Sequence, residues 1–309
     1  MKDLLSLEDL SKEELLGFIE LAEDVKANPE KYREAVKDKT LLMIFEKPSL
    51  RTRVSFETGM TQMGGHGIYY NTATSPLGKK ETIEDTARVV SRYVDIVMAR
   101  LFSFEQTKKL AENATIPVID ALSDYSHPCQ ILGDLLTIKE HKGKLEGLTL
   151  AYMGDSKNNV TYSLMYGCPI AGLNIRVGCP EKEEYNPDRR VIETAKKLAE
   201  KYETKVEVLH NAVEAVKDAD IVYTDSWMSY HIPQEEKERR VKDLMPCQVN
   251  TELMKHAKPD AVFMNCLPAL RGMEQTAEVI DGPQSIVFDQ AENRLHIQKA
   301  IILRLLGLY

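Results

Sequence analysis

The sequence has no CxxC pair, no Gly-rich dinucleotide fingerprint and no internal repeat or low-complexity segment. Its five cysteines, Cys129, Cys168, Cys179, Cys247 and Cys266, are odd in number and scattered. That argues against a disulfide framework and a structural zinc site, and it suits a reducing compartment. No run approaches the roughly 18 apolar residues of a membrane helix. The N-terminus opens Met1-Lys2-Asp3 and continues with acids interspersed, so no signal-peptide apolar region is present. A cytoplasmic location is the expectation. Positive charge is not in excess either: 40 Lys and Arg face 48 Asp and Glu, a net charge of -8. Neither nucleic acid nor a membrane is an expected partner. An anionic small substrate would need a local basic pocket set in this acidic background, so clustered Arg and His are the features to look for.

What the sequence does have is alternation. Hydrophobic residues make up 43% and charged residues 28% of 309 positions, ordinary for a globular chain of about two domains. Short apolar runs alternate with helical periodicity, which predicts α/β architecture with largely parallel sheets. Strands are expected over residues 40–45, 67–70, 95–99 and 116–120. Further strands are expected at 149–153, 174–177, 205–209, 220–224, 261–265 and 285–288. Ser11 with Glu14 is a capping box that opens the first helix. A helix is expected from His127 to His141, and a last one over 291–306. The polar, Gly-bearing stretch 142–147 marks the boundary between domains at 1–142 and 143–309, with the C-terminal helix counted in the second.

Six segments at strand-to-helix junctions carry chemistry. Lys47-Pro48-Ser49-Leu50-Arg51-Thr52-Arg53 combines a helix start with hydroxyls and guanidinium forks, which suits phosphate. The same residues also read as a Ser N-cap with two solvated Arg. Arg100 lies just past the end of the strand 95–99, where ligands collect in open α/β sheets; a surface Arg is the plainer reading. His127-Pro128-Cys129-Gln130 places an imidazole and an amide at a helix start, although an isolated His is more often structural. Gly154-Asp155-Ser156-Lys157-Asn158-Asn159 stands where a dinucleotide loop would, but with a single Gly. Asn159 there suits a carboxylate or ammonium group. Asp225-Ser226-Trp227-Met228-Ser229-Tyr230 puts an acid at a strand end, suited to an amine or to capping. Asn265-Cys266-Leu267-Pro268 offers a thiol that is a nucleophile, a pocket wall or a small buried side chain.

In this order the motifs resemble the aspartate/ornithine carbamoyltransferase family over essentially the whole chain. Ser49-Leu50-Arg51-Thr52-Arg53 is similar to the family's Ser-Thr-Arg-Thr-Arg carbamoyl-phosphate signature, and His127-Pro128-Cys129-Gln130 to its His-Pro-x-Gln motif. Asp225 with Ser229 resembles the ornithine-binding Asp-x-x-x-Ser-Met-Gly stretch. Asn265-Cys266-Leu267-Pro268 resembles His-Cys-Leu-Pro, and Glu292-Asn293-Arg294 resembles the ornithine-branch ending. There are four departures. Leu50 stands for a Thr, and Pro76 for a Gln. Tyr230-His231 stands for Met-Gly, and Asn265 for His. The loop Ser75-Pro76-Leu77-Gly78-Lys79-Lys80 is closer to the aspartate branch.

The resemblance implies two doubly wound α/β domains with parallel sheets, the C-terminal helix packing back on the N-terminal domain. It implies a catalytic homotrimer, or a multiple of trimers, in which Ser75 and Lys80 are lent to a neighbouring subunit. It implies ordered binding of carbamoyl phosphate and then ornithine, with citrulline as product and no metal, covalent intermediate or organic cofactor. Ser49, Leu50, Arg51, Thr52 and Arg294 would hold the phosphate. Arg100, His127 and Thr52 would stabilise the carbonyl oxygen, and Gln130 would hold the carbamoyl NH₂. Asn159, Asp225, Ser229, Tyr230, Cys266 and Leu267 would line the acceptor side. Another amine acceptor, such as putrescine or a modified ornithine, and a non-catalytic relative are the alternatives. Asn159 with the Asp225 and Ser229 pair favours an α-amino acid.

Overall fold

The computed structural model describes residues 1–74, 81–228 and 232–309. The chain forms two compact units, Met1–Leu136 with Glu292–Tyr309, and Thr137–Ala291. In the first unit, α1 (Lys12–Ala27) is followed by β1 (Thr40–Phe45), α2 (Leu50–Gln62), β2 (His66–Asn71) and α3 (Ile83–Val90). Then come β3 (Ile96–Arg100), α4 (Phe104–Asn113), β4 (Val118–Leu122) and α5 (Pro128–Lys142). Among the described residues the strands make a parallel four-stranded sheet in the order β2-β1-β3-β4. β1 and β3 read Thr-Leu-Leu-Met-Ile-Phe and Ile-Val-Met-Ala-Arg and are buried almost throughout. Continuous apolar runs of this kind are what a sheet covered on both faces requires. Leu42, Ile44, Val97 and Ala99 pack with Ala87 of α3 and Leu110 of α4 into one core. The Ser11–Glu14 capping box starts α1 as expected.

The second unit contains β5 (Thr149–Met153), α6 (Asn159–Ile170), β6 (Asn174–Gly178), α7 (Arg189–Lys201), β7 (Val206–Leu209) and α8 (Ala212–Val216). It continues with β8 (Ile221–Thr224), α9 (Lys237–Leu244), α10 (Thr251–Met254), β9 (Val262–Asn265) and α11 (Ala277–Ile280). The sheet is parallel, in the order β7-β6-β5-β8-β9. Helix α12 (Val287–Leu306) ends the fold. No helix among the described residues is long and apolar enough to cross a membrane.

Contacts divide the chain after Leu136, inside α5, six residues before the boundary expected from the polar stretch. Glu292–Tyr309 of α12 groups with the first unit, as the packing expectation for the C-terminal helix required. Gly133 explains the fit: a Cβ there would lie 3.4 Å from both Arg294 Cδ and Ile297 Cγ2. The segment 285–288 is no strand. Ser285 makes one isolated bridge to Phe263. Helical bonding begins at once, Gln290 N–H donating to Ile286 O at 2.9 Å, so the apolar pair before it reads as strand or helix until that register is seen.

Candidate active site

In each unit the relevant side chains gather where parallel strands end and the chain turns into helices, the usual ligand edge of an open α/β sheet. In the first unit the neighbouring strands β1, β3 and β4 deliver them. Ser49 caps α2: its Oγ accepts from Thr52 N–H at 3.3 Å and donates to Thr52 Oγ1 at 3.1 Å. Thr52 is buried, Arg51 half-buried, and Leu50 is 77% exposed. Arg53 turns away, bonding Glu57 at 3.1 Å and stacking 3.8 Å over the Tyr69 ring. Arg100 is the last residue of β3 and is buried. Its carbonyl accepts from Glu46 N–H at 2.9 Å, tying the ends of β1 and β3 together.

His127 follows a tight turn in which Ser123 Oγ donates to Asp120 Oδ2 at 2.7 Å and accepts from Ser126 N–H at 3.1 Å. The imidazole is buried, and its pKa lies well below the usual histidine value. Burial is the main cause, joined by the positive charges of Arg294, Arg100 and Lys47. It is therefore a neutral ring facing three cations. Lys47 is a functional candidate that the sequence reading passed over, although it opens the signature. It is only 6% exposed, lies 4.5 Å over the Phe102 ring, and has its pKa lowered by burial and then by Arg100. Buried like charges of this kind repel one another; Asp124 and Glu46 offset part of this at Lys47, and a bound anion would offset more. Gln130 is buried on the first turn of α5, where Oε1 accepts from Arg294 Nη1 and Nε2 donates to Asp134 Oδ1 at 2.8 Å. The structure thus brings together Lys47, Arg100, His127, Gln130 and Arg294, beside the capped start of α2.

In the second unit the neighbouring strands β5, β8 and β9, the last at the sheet edge, supply the residues. Asn158 caps α6, accepting from Thr161 N–H at 2.9 Å, and donates to Tyr152 Oη at 3.1 Å. Asn159 is the first residue of α6 and is half-buried. Asp225 follows β8, and Cys266 follows β9. The Cys266 thiol donates to Asp225 Oδ1 at 3.1 Å, and Ser226 N–H donates to the same oxygen at 2.7 Å. Asn265, one residue before the thiol, is fully buried, and Leu267, one residue after it, has a left-handed φ of 56°. Trp227 is core: it packs with Tyr185 and Leu244, and its carbonyl accepts from Arg240 Nε at 3.0 Å. Arg240 in turn forms a buried ion pair with Asp155. Glu274 is a further buried acid that sequence reading missed. Burial pushes its carboxyl up to about 7, with the Asp225 charge adding and backbone and Ser226 hydrogen bonds opposing. Ser75, Lys80, Ser229 and Tyr230 lie outside the described residues, as do Pro76 and His231.

Comparison with known proteins resolves what these two edges belong to. The carbamoyl-P binding domain of aspartate/ornithine carbamoyltransferases matches residues 2–140, and the Asp/Orn binding domain matches residues 146–305. The chain belongs to the aspartate/ornithine carbamoyltransferase family. Within this family it is 51% identical to an ornithine carbamoyltransferase of Thermococcus kodakarensis over 99% of this chain and 96% of that one. It is 50% identical to that of Methanosarcina acetivorans over 99% of both. The solved ornithine carbamoyltransferase of Pyrococcus furiosus superposes with a TM-score of 0.94 at 49% identity, over 99% of this chain and 97% of that one. The ornithine transcarbamoylase of Giardia lamblia gives 0.91 at 43% identity, over 99% and 98%.

Proposed function

We propose that the protein transfers the carbamoyl group of carbamoyl phosphate to the side-chain amine of L-ornithine, giving L-citrulline and phosphate. The observation that carries this reading is the Asp225–Cys266 pair, a carboxylate and a thiol meeting at the ends of two adjacent strands. A carboxylate at an acceptor site attracts a diamino acid. It repels aspartate, whose own side chain is anionic. The family membership and the names of the relatives point the same way.

In the proposed reaction Ser49, Arg51, Thr52, Arg294 and the free N–H groups at the start of α2, Leu50 among them, hold the phosphate. Attack of the neutral amine puts negative charge on the carbonyl oxygen. Arg100, Thr52 and the N–H of a neutral His127 stabilise that charge. Gln130 Oε1, with a second lone pair beside the one given to Arg294, accepts from the carbamoyl NH₂. Asn159, Asp225, Ser229, Tyr230 and the Leu267 backbone take the amino-acid groups, and Cys266 with Asp225 orients the amine. The leaving phosphate carries away the charge and can accept the proton that the amine loses. On the resemblance, the active form is a cytoplasmic homotrimer that takes Ser75 and Lys80 from a neighbouring subunit. Its mass in sedimentation should be three times 35.0 kDa or a multiple of that.

The test is citrulline formation from carbamoyl phosphate and ornithine, run beside putrescine, aspartate and N-acetylornithine. A clear preference for ornithine is expected. Turnover of another amine alone would overturn the acceptor assignment. Carbamoyl-phosphate binding without turnover of any amine would overturn the enzymatic one.

A further inference from the structure

We propose that Asn265 and Gln275 form a buried amide clamp that positions the Cys266 thiol on Asp225. Both are then positioning residues for the acceptor amine, a consequence that rests on the functional reading above. Asn265 ends β9 and Gln275 lies ten residues on; both are fully buried. Asn265 Nδ2 donates to Gln275 Oε1 at 3.0 Å, and Gln275 Nε2 donates to Leu270 O at 3.2 Å. Asn265 Oδ1 accepts from Leu267 N–H at 2.8 Å, and its backbone N–H donates to Gln290 Oε1 at 3.0 Å. Both amides are therefore engaged at oxygen and at nitrogen, and each fixes the orientation of the other.

Only Cys266 lies between the two clamped positions. Leu267 is held in a left-handed conformation that a residue with a branched side chain rarely adopts, and Asn265 Oδ1 is the acceptor for its N–H. With 265 and 267 both fixed, the thiol is aimed at Asp225 Oδ1, 3.1 Å away. Position 265 is where the chain departs from the family's His-Cys-Leu-Pro pattern. With no exposed surface and with its oxygen, nitrogen and backbone N–H all bonded, Asn265 is unavailable to substrate. The departure is thus a different way of holding the loop, and Gln275 is the residue that makes an asparagine sufficient there.

The clamp can be read without turnover, because Cys266 is partly exposed while the other four cysteines are buried. Alkylation of Cys266 by iodoacetamide, followed by peptide mass spectrometry on the folded full chain, reports how firmly the thiol is held. In Asn265→Ala and in Gln275→Leu its rate should rise about three- to tenfold, the size expected for losing one buried hydrogen bond. The double variant should rise no further than the larger single, since one contact is broken in both. Asn265→Asp, which keeps an acceptor for Leu267 N–H, should fall between wild type and Asn265→Ala. It also decides the matter should Asn265→Ala fail to fold. KM for ornithine should rise by the same order while KM for carbamoyl phosphate stays within twofold. Unchanged alkylation in the folded single variants, or additive effects in the double, would overturn the clamp. Raised alkylation in a protein that does not turn over ornithine would uphold the clamp and sink the acceptor assignment instead.

Discussion

Two buried titratable side chains carry opposite burdens. His127 is neutral because burial and three nearby cations oppose its protonation. In the proposed reaction its remaining N–H donates a hydrogen bond to the developing oxyanion. Replacing it with Ala should lower kcat by about 10²–10³, the usual loss for one such donor. The acid limb of kcat/KM in the wild type should show no inflection at the ordinary histidine value of 6.5. Steady-state kinetics from pH 5.5 to 8 checks both. Glu274 sits on the acceptor side with its carboxyl raised from 4.5 to about 7, mainly by burial. The folded state therefore keeps a proton that the unfolded chain releases. The stability this confers is whole below pH 4.5 and is lost as pH rises through 7, roughly 3 kcal/mol in all. Glu274→Gln should flatten this dependence. Calorimetry should find the fall in Tm between pH 5 and pH 8 smaller in the variant than in wild type, and an equal fall would show that Glu274 is not its source.

At the scale of elements, both candidate edges depend on how a strand hands over to a helix. Gly154 leaves β5 at a φ of 128°, and a Cβ there would stand 3.0 Å from Trp227 Nε1. Gly154→Ala therefore meets both backbone strain and a packed indole, and it should destabilise the second unit by about 1–3 kcal/mol. Trp227 is the chain's sole tryptophan and is buried, so its fluorescence in urea reports this unit directly. The strands and most helices were legible in the sequence because β1, β3, β5 and β8 are buried on both faces and so are written as unbroken apolar runs. The first handover motif was legible for a similar reason: a capping hydroxyl at Ser49 is a local requirement. Residues 285–288 were misread because an apolar run before a helix carries no period of its own. Lys47, Glu274 and Gln275 stayed hidden as functional residues for another reason. Their roles come from partners such as Arg100, Ser226 and Asn265, which the fold brings near and no local spacing reveals.

For the whole molecule, the charge distribution sets the order of events that the proposed reaction needs. The chain carries a net charge of -8, yet Lys47, Arg100 and Arg294 converge on one neutral His127. Like charges gathered this way oppose one another, so an added anion should stabilise the protein whether or not an amine is present. On the acceptor side Asp225 is a single carboxylate bonded by Cys266 and Ser226, so its pull on ornithine is weaker than that of three cations on an anion. Carbamoyl phosphate, or inorganic phosphate in its place, should therefore raise Tm by itself. The gain at a hundredfold excess over Kd is about 2.7 kcal/mol. Ornithine alone should shift Tm little, and ornithine added on top of phosphate should shift it further. Differential scanning calorimetry of the intact protein under the four conditions makes the comparison. Equal protection by ornithine alone would mean that the acceptor side is complete without the anion, and ordered binding would then have no electrostatic basis in this chain. Arg100→Met should remove most of the phosphate protection if the cation cluster is its source, since the variant discards one of the three charges that the anion offsets.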